Sequence, residues 1–526
     1  MTTHVDAVIV GGGPNGLVAA NALVDAGWSV VLVEANEVLG GAVRTAEVTA
    51  PGFRNDLFSA FYPLAAASPV IRNLDLHEHG LAWTQAPTVL THVFPDDRSA
   101  SLERAPEATA AGLDAAAPGD GDAWLELVQQ WQRVRDPLLD SLFTPFPPVR
   151  SATRLLRRLG TTGVLDFARL GVLPVRRLGD ELFTGDAAPA LLTGNAMHSD
   201  IGPDAAGSGL FGWLLCMLGQ DVGFPVPVGG AQCLADALAA RLAAKGGTVR
   251  AGCRVETVEV HAGRATGVRL TTGERLTVRR AVLADVDAPT LFADLVGLDN
   301  LPPRYARSLQ RFHWDNPTLK LNWALAAPTP WTAAAAAKAG TVHLGVDVDG
   351  FVDHAADLSI GRQPGHPFIL YGQMTTADAT RSPAGTESAW AYTHLPRKVA
   401  ADPAAVEELI ERVRSTIEDR APGFGDLVLA EHVQRPEDLQ RVDSNLVSGA
   451  LNAGTSSIHQ QLIFRPTTGL GRPETPVAGL YLAGASAHPG GGVHGACGWN
   501  AARAALGGSG AVRKRLLKTA WGRLLA

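Results

Sequence analysis

Cysteine is scarce. Four thiols in 526 residues, Cys216, Cys233, Cys253 and Cys497, show neither a CxxC pair nor the Cys/His spacing of a metal site, which excludes a disulfide framework and points to small buried side chains in a reducing, cytoplasmic setting. Charge is thin as well. Asp, Glu, Lys and Arg make up 18% of the chain and the formal net charge is -7, so the concentrated positive surface that nucleic acids require is missing and no such partner is expected. Long apolar runs are absent: the richest, LFGWLLCML at 210–218, falls short of the roughly 18–20 residues that cross a bilayer. At the amino end no Lys or Arg precedes the apolar run of MTTHVDAVIV, and glycines soon cut it, so a strand is expected there rather than a signal peptide. GxSxG and P-loop patterns are missing too. His77, Glu78 and His79 lack the i,i+4 spacing of HExxH, and no metal is expected.

Glycine, by contrast, is abundant, at 57 residues. The first cluster, GGGPNG at 11–16, follows an apolar strand over 6–10 and precedes a helical stretch, LVAANALVDAG, then a second apolar strand over 29–33 that ends in Glu34. This spacing predicts a βαβ unit built for a dinucleotide. Gly11 permits the tight turn, Gly13 lets main chain approach a pyrophosphate, and Gly16 lets the helix pack on the strands. Pro14 and Asn15 open the helix, whose free N–H groups and partial positive charge suit an anion. Glu34, with Ala35 after it, stands about twenty residues past the turn, where an acid accepts from an adenosine ribose.

After Glu34 the chain reads ANEVLGGAVRTAEV, with Gly40, Gly41 and then Arg44. In this continuation the sequence resembles the flavin-binding family that includes amine oxidases and phytoene desaturases. The resemblance implies FAD as cofactor, with Gly40, Gly41 and Arg44 beside its diphosphate, Arg44 through a charge-assisted contact. Residues 224–285 resemble the same family's second flavin segment: a helix carrying Leu234, Leu238 and Leu242, a strand over 250–260, then a hairpin turning at Thr271, Thr272 and Gly273. Val255 on that strand would meet the adenine through its main chain. The third segment, GLYLAGASAHPGGGVHGACGWNAARAAL, resembles the phytoene-desaturase-like carboxy-terminal motif. It implies main chain at Gly484 and Ala485 near the diphosphate and ribityl, and Gly492, Val493 and Gly495 at a helix start facing the flavin ring, where negative charge collects on reduction. Ala485 replaces the acid common there in amine oxidases.

The expected fold is therefore α/β: a discontinuous Rossmann-type, glutathione-reductase-like FAD-binding domain at 1–75, 225–300 and 478–507, with an inserted mixed α+β substrate domain at 76–224 and 301–477. In TLKLNWAL, strand alternation puts Leu319, Leu321, Trp323 and Leu325 on one face and Thr318, Lys320, Asn322 and Ala324 on the other. Lys320 resembles in placement the amine-oxidase lysine that holds a water beside the flavin; the other reading is a solvent-facing lysine. His494, one residue into the expected helix, is a second catalytic candidate or a packing histidine. The segment 511–526, AVRKRLLKTAWGRLLA, reads as a basic amphipathic helix that docks on its own domain, a partner subunit or an anionic membrane surface.

The resemblance implies an FAD-dependent desaturase or dehydrogenase that removes hydride from a small apolar substrate and passes electrons to O2, a quinone or NAD(P). An amine-oxidase-like enzyme, a flavin-dependent isomerase or saturase, and a flavin-bound regulatory protein remain the alternatives.

Overall fold

The computed structural model describes residues 3–469 and 471–507; the basic segment 511–526 lies outside the described residues. The strands that matter are β1 (Thr3–Val10), β2 (Val30–Val33), β3 (Thr88–Val93), β4 (Ser99–Leu102), β5 (Thr248–Arg250), β6 (Val255–His261), β7 (Arg264–Leu270), β8 (Arg275–Ala284), β9 (Thr318–Leu325), β10 (Ala339–Leu344), β11 (Ile369–Gln373), β12 (Glu387–His394), β13 (Val428–Gln434) and β14 (Leu480–Leu482). The principal helices are α1 (Pro14–Asp25), α2 (Asp120–Leu142), α3 (Val149–Leu170), α4 (Ala187–Ala196), α5 (Ser208–Asp221), α6 (Gln232–Ala244), α7 (Pro403–Arg420) and α8 (Ala496–Gly507).

One seven-stranded sheet runs β6-β7-β8-β1-β2-β5, with β14 pairing the carboxyl end of β8. β1 is parallel to both neighbours, Val8 lying between Val31 and Val282, whereas β6, β7 and β8 are antiparallel. Three stretches of chain hundreds of residues apart thus share one mixed sheet. Alternation along β1 sorts its side chains into two cores: Ala7 and Ile9 pack with α1, α6 and α8, while Val8 and Val10 pack with Val258, Val268 and Phe292 on the opposite face.

The single strand expected over 250–260 is two. β5 continues parallel to β2 as far as Arg250; the chain then turns at Gly252 (φ 65) and restarts as β6. The break is tertiary in origin, because Gly252 N and Cys253 N donate to the carbonyls of Asn36 and Glu34 at 2.9 and 2.8 Å rather than to a neighbouring strand.

The second sheet runs β13-β9-β12-β11-β10-β3-β4. Leu319, Leu321, Trp323 and Leu325 of β9 pack against Val406, Leu409, Val413 and Ile417 of α7, a helix capped by Asp402, whose Oδ1 accepts from Ala404 N at 3.0 Å. On the opposite face Thr318, Lys320 and Asn322 stand in register with His394, Tyr392 and Trp390; Trp390 and Leu370 of this sheet pack into the core formed with α2, α4 and α5. Every residue of β9 is buried. The solvent-facing reading of Lys320 fails for that reason: alternation assigns faces correctly, but both faces are covered.

Candidate active site

The glycine turn after β1 is packed backbone against backbone. Gly11 (φ 97) donates to Val33 O at 2.8 Å, and a β-carbon on Gly16 would lie 2.1 Å from Gly11 O, so neither position accepts a side chain. Glu34 is 7% exposed and folded back under the turn: Oε2 accepts from Gly12 N at 2.7 Å and Oε1 from Asn36 N at 2.8 Å. Each oxygen keeps a lone pair for a further donor. Ala35, between them, is half-buried. Gly40 N donates to Gly12 O at 2.9 Å, and a β-carbon on Gly41 (φ 53) would touch Gly13 Cα at 3.2 Å, which brings the 40–44 segment onto the turn. Pro14 opens α1 and Gly13 offers no side-chain cap. Asn15 is buried, with Oδ1 unpartnered. Arg44 is partly exposed and makes no ion pair or side-chain hydrogen bond among the described residues.

Acids that the sequence reading missed line the same cradle. Asp285, directly after β8, is 6% exposed and accepts from Gly16 N at 2.7 Å; a β-carbon on Gly13 would lie 2.8 Å from its Oδ2 and one on Gly484 3.1 Å from its Oδ1. Burial pushes its carboxyl up to about 7; the Gly16 hydrogen bond opposes this, and Asp443 and Glu34 add to it. Asp443 comes from the stretch assigned to the substrate side, yet its Oδ2 lies 3.3 Å from the β-carbon position of Gly41. Burial pushes it up to about 6, with the field of Arg44 pulling the other way. Asn445 ties this stretch to β8, donating to Asp285 O at 3.3 Å and accepting from Asp287 N at 3.0 Å. A local sequence signal for these acids is absent; only the fold brings them to the turn.

β14 delivers the third segment to the carboxyl ends of β8 and β1. Ala485 O accepts from Arg465 Nε at 3.0 Å. Arg465 is fully buried and also donates to the carbonyls of Asn452, Ala453, Gly454 and Thr455. The same loop is held from its other side by Asp315, which accepts from the N–H groups of Leu451, Asn452 and Gly454. Gly490 (φ 113), Gly492 (φ 103) and Gly495 (φ 70) carry the chain round; Gly492 stays exposed and Val493 half-buried. The helix starts at Ala496, three residues later than expected, so His494 precedes it. His494 Nδ1 accepts from Ala496 N at 3.0 Å, its carbonyl accepts from Ser68 Oγ at 2.7 Å, and its ring lies 5.5 Å from that of Phe143. Burial pushes this imidazole down to about 4, which makes it a neutral capping and packing group. Val255 opens β6 with its side chain in the core, immediately after the residues bonded to Glu34 and Asn36.

Lys320 is 3% exposed. Its Nζ donates to Asp56 O at 2.6 Å and Phe58 O at 3.0 Å, and sits 4.9 Å from the centroid of the Trp390 ring. Burial pushes the amine down to about 7, with the charge of Asp56 opposing and that of Arg381 assisting. The tie leads to the cradle: Leu57 N donates to Arg44 O at 2.9 Å and Ser59 Oγ to Ala42 O at 2.6 Å. Lys320 and His494 share no partner and stand on different walls.

Residues 15–506 match the family model described as flavin containing amine oxidoreductase. The chain belongs to this family. The chain is 29% identical over 545 residues to the mouse protein "Pyridine nucleotide-disulfide oxidoreductase domain-containing protein 2", covering 94% of this chain and 92% of that one. It is 25% identical over 523 residues to a neurosporene-forming phytoene desaturase of Cereibacter sphaeroides, again covering 94% and 92%. A solved oxidoreductase structure from Methanosarcina mazei shares its fold, with a TM-score of 0.64, 14% identity, and coverage of 95% and 100%.

FAD is the cofactor of this family, and the cradle fits it on its own terms: an acid with free lone pairs at the end of β2, an uncapped helix start, an arginine unpaired among the described residues, and glycines at 11, 13, 16 and 41 where a side chain would fill the space.

Proposed function

We propose that this flavoprotein is a desaturase or dehydrogenase that removes hydride from an apolar, isoprenoid- or lipid-like substrate. The observation that carries the reading is the state of Lys320. Two of its N–H bonds go to main-chain carbonyls and its charge lies over an indole, so it acts as a strut between the second sheet and the cradle rather than as a free holder of water. The wall around it is aromatic: Phe61 lies 6.1 Å from Trp390, and Trp390 stacks on Tyr392 at 5.8 Å. The buried acids nearby are already matched, Asp56 by Thr45, Ala231 N and Arg381, and Glu387 by Thr375 and Thr376. Of the two, Asp56 already has a cationic partner in Arg381 and offers a cationic amine no spare counter-charge.

Glu34 would hold the ribose, the α1 N-terminus with Arg44 the diphosphate, and the 484–495 main chain the flavin end. When bound, FAD supplies the two-electron acceptor. The protein orients the substrate by apolar contact and excludes water from the reacting carbon. O2, a quinone or NAD(P)+ would be the final electron acceptor. Anaerobic reduction of the bound flavin, followed by reoxidation with each acceptor in turn, tests this: rapid reoxidation by quinone supports a desaturase. The second reading, an amine oxidase, is favoured by the family the chain belongs to. Stoichiometric peroxide from an amine, lost in Lys320→Met, would establish it instead.

A further inference from the structure

A dinucleotide brings two negative charges to a cradle that already holds Glu34, Asp285 and Asp443. Asp285 is the acid that competes most directly, because its Oδ2 occupies Gly16 N–H, one of the donors at the helix start that an incoming diphosphate would use. It cannot swing clear. A β-carbon on Gly484 would lie only 3.1 Å from its Oδ1, and its main chain is bound on both sides, N to Val10 O at 2.7 Å and O to the Asn445 amide. A negative ligand meeting a fixed carboxyl in a dry site favours the form with a proton added.

We propose that Asp285 is a cofactor-binding residue that works as a neutral acid: FAD binding takes up one proton from solvent onto its carboxyl, which then donates a hydrogen bond toward the diphosphate. The other titratable and charged groups facing it are Glu34 after β2, Asp443 and its neighbour Arg44, Asp287 on the same segment, and the Cys497 thiol of α8. Asp443 and Asp287 are pushed up only to about 6, so above pH 7 they are largely ionised before FAD arrives. Burial holds the Cys497 thiol neutral, up at about 12. Asp285 starts from about 7, and a second negative group raises it further. Affinity for FAD is therefore flat below pH 7 and falls by up to about tenfold per pH unit above it.

The test is calorimetric titration of FAD into full-length protein stripped of its flavin, at pH 8.0 in two buffers of different ionisation enthalpy. Wild type should take up close to one proton per FAD, and Asp443→Asn should do the same. Asp285→Asn should take up none and, at pH 8.5, bind FAD roughly thirtyfold more tightly than wild type. Wild-type binding without proton uptake, or uptake that persists in Asp285→Asn, overturns the proposal. If Asp285→Asn does not fold, the two-buffer measurement on wild type decides alone. The proposal rests on FAD occupying this cradle, and the two failures look different: no binding heat removes both claims, whereas heat without protons removes only this one.

Discussion

One methyl group at Gly498 should empty the flavin site. Gly498 is where α8 crosses the start of α1, and a β-carbon there would lie 1.8 Å from Asn15 O, 2.7 Å from Asn15 C and 3.0 Å from Asn15 Cα. All three are main-chain atoms, so no rotamer can yield. Ordinary contact begins near 3.4 Å, and the two helix starts must separate by about 1.6 Å in Gly498→Ala. Overpacking of that kind costs about 3 kcal/mol. In a chain of 526 residues each kcal/mol moves Tm by about 1 °C, so a fall of about 3 °C is expected at saturating FAD. FAD affinity should drop by much more, because the displaced residues, Asn15 and the 493–496 turn, are among those proposed to hold the cofactor. The control is the same chemical change at Gly112, in the exposed helix Pro106–Ala116 with nothing within 4 Å; Gly112→Ala should gain up to about 1 kcal/mol from helix propensity. Flavin content after gel filtration and thermal unfolding read both. Unchanged flavin content and Tm in Gly498→Ala would refute the packing argument.

Arg465→Ala should cost about 4 kcal/mol, since the 452–455 carbonyls and Ala485 O lose a buried charged donor; chemical denaturation should show it, with Arg465→Lys recovering only part. Lys320→Met should cost two hydrogen bonds between the second sheet and the cradle, about 2 kcal/mol by chemical denaturation; unchanged stability would contradict its assignment as a strut. His494 is held down to about 4 in the folded protein against an ordinary 6.5, so it binds fewer protons folded than unfolded between those values, and its share of stability is present above pH 6.5 and lost as pH falls toward 4. His494→Asn should accordingly show a shallower loss of stability than wild type from pH 6.5 to 4.5 in denaturation at saturating FAD; an identical acid limb would count against it. Glu34→Ala should weaken FAD binding at least tenfold by fluorescence titration, through loss of both the ribose acceptor and the support of Gly12 N and Asn36 N.

The β1–α1–β2 unit was readable because glycine spacing and an apolar period are local properties; Gly11 and Gly16 are forced by main-chain contacts, and Gly12 and Gly13 by the side chains of Leu39, Glu34 and Asp285. The meeting of three remote segments was readable only through family resemblance. Asp285, Asp443, Asp315 and Arg465 were not readable at all: each is a single polar residue whose task is set by main chain from another part of the fold, and nothing in the surrounding sequence marks it. The break at Gly252 has the same tertiary origin, its backbone donors serving Glu34 and Asn36 where local periodicity predicts continuous structure; the late start of α8 is local, Ala496 N being taken by the His494 ring two residues earlier. Lys320 shows the opposite limit: alternation placed it on the correct face, while the covering of that face by the helical core was invisible to a two-residue period.

The central claim is that the turn at 11–16, the 40–44 segment and the 484–495 loop grip a single FAD. Flavin released from purified full-length protein, counted against chain concentration, measures it most directly. One FAD per chain in wild type, and well under a tenth of that in Gly498→Ala, is the predicted result; a wild-type chain that binds no FAD when it is supplied in excess would contradict the account.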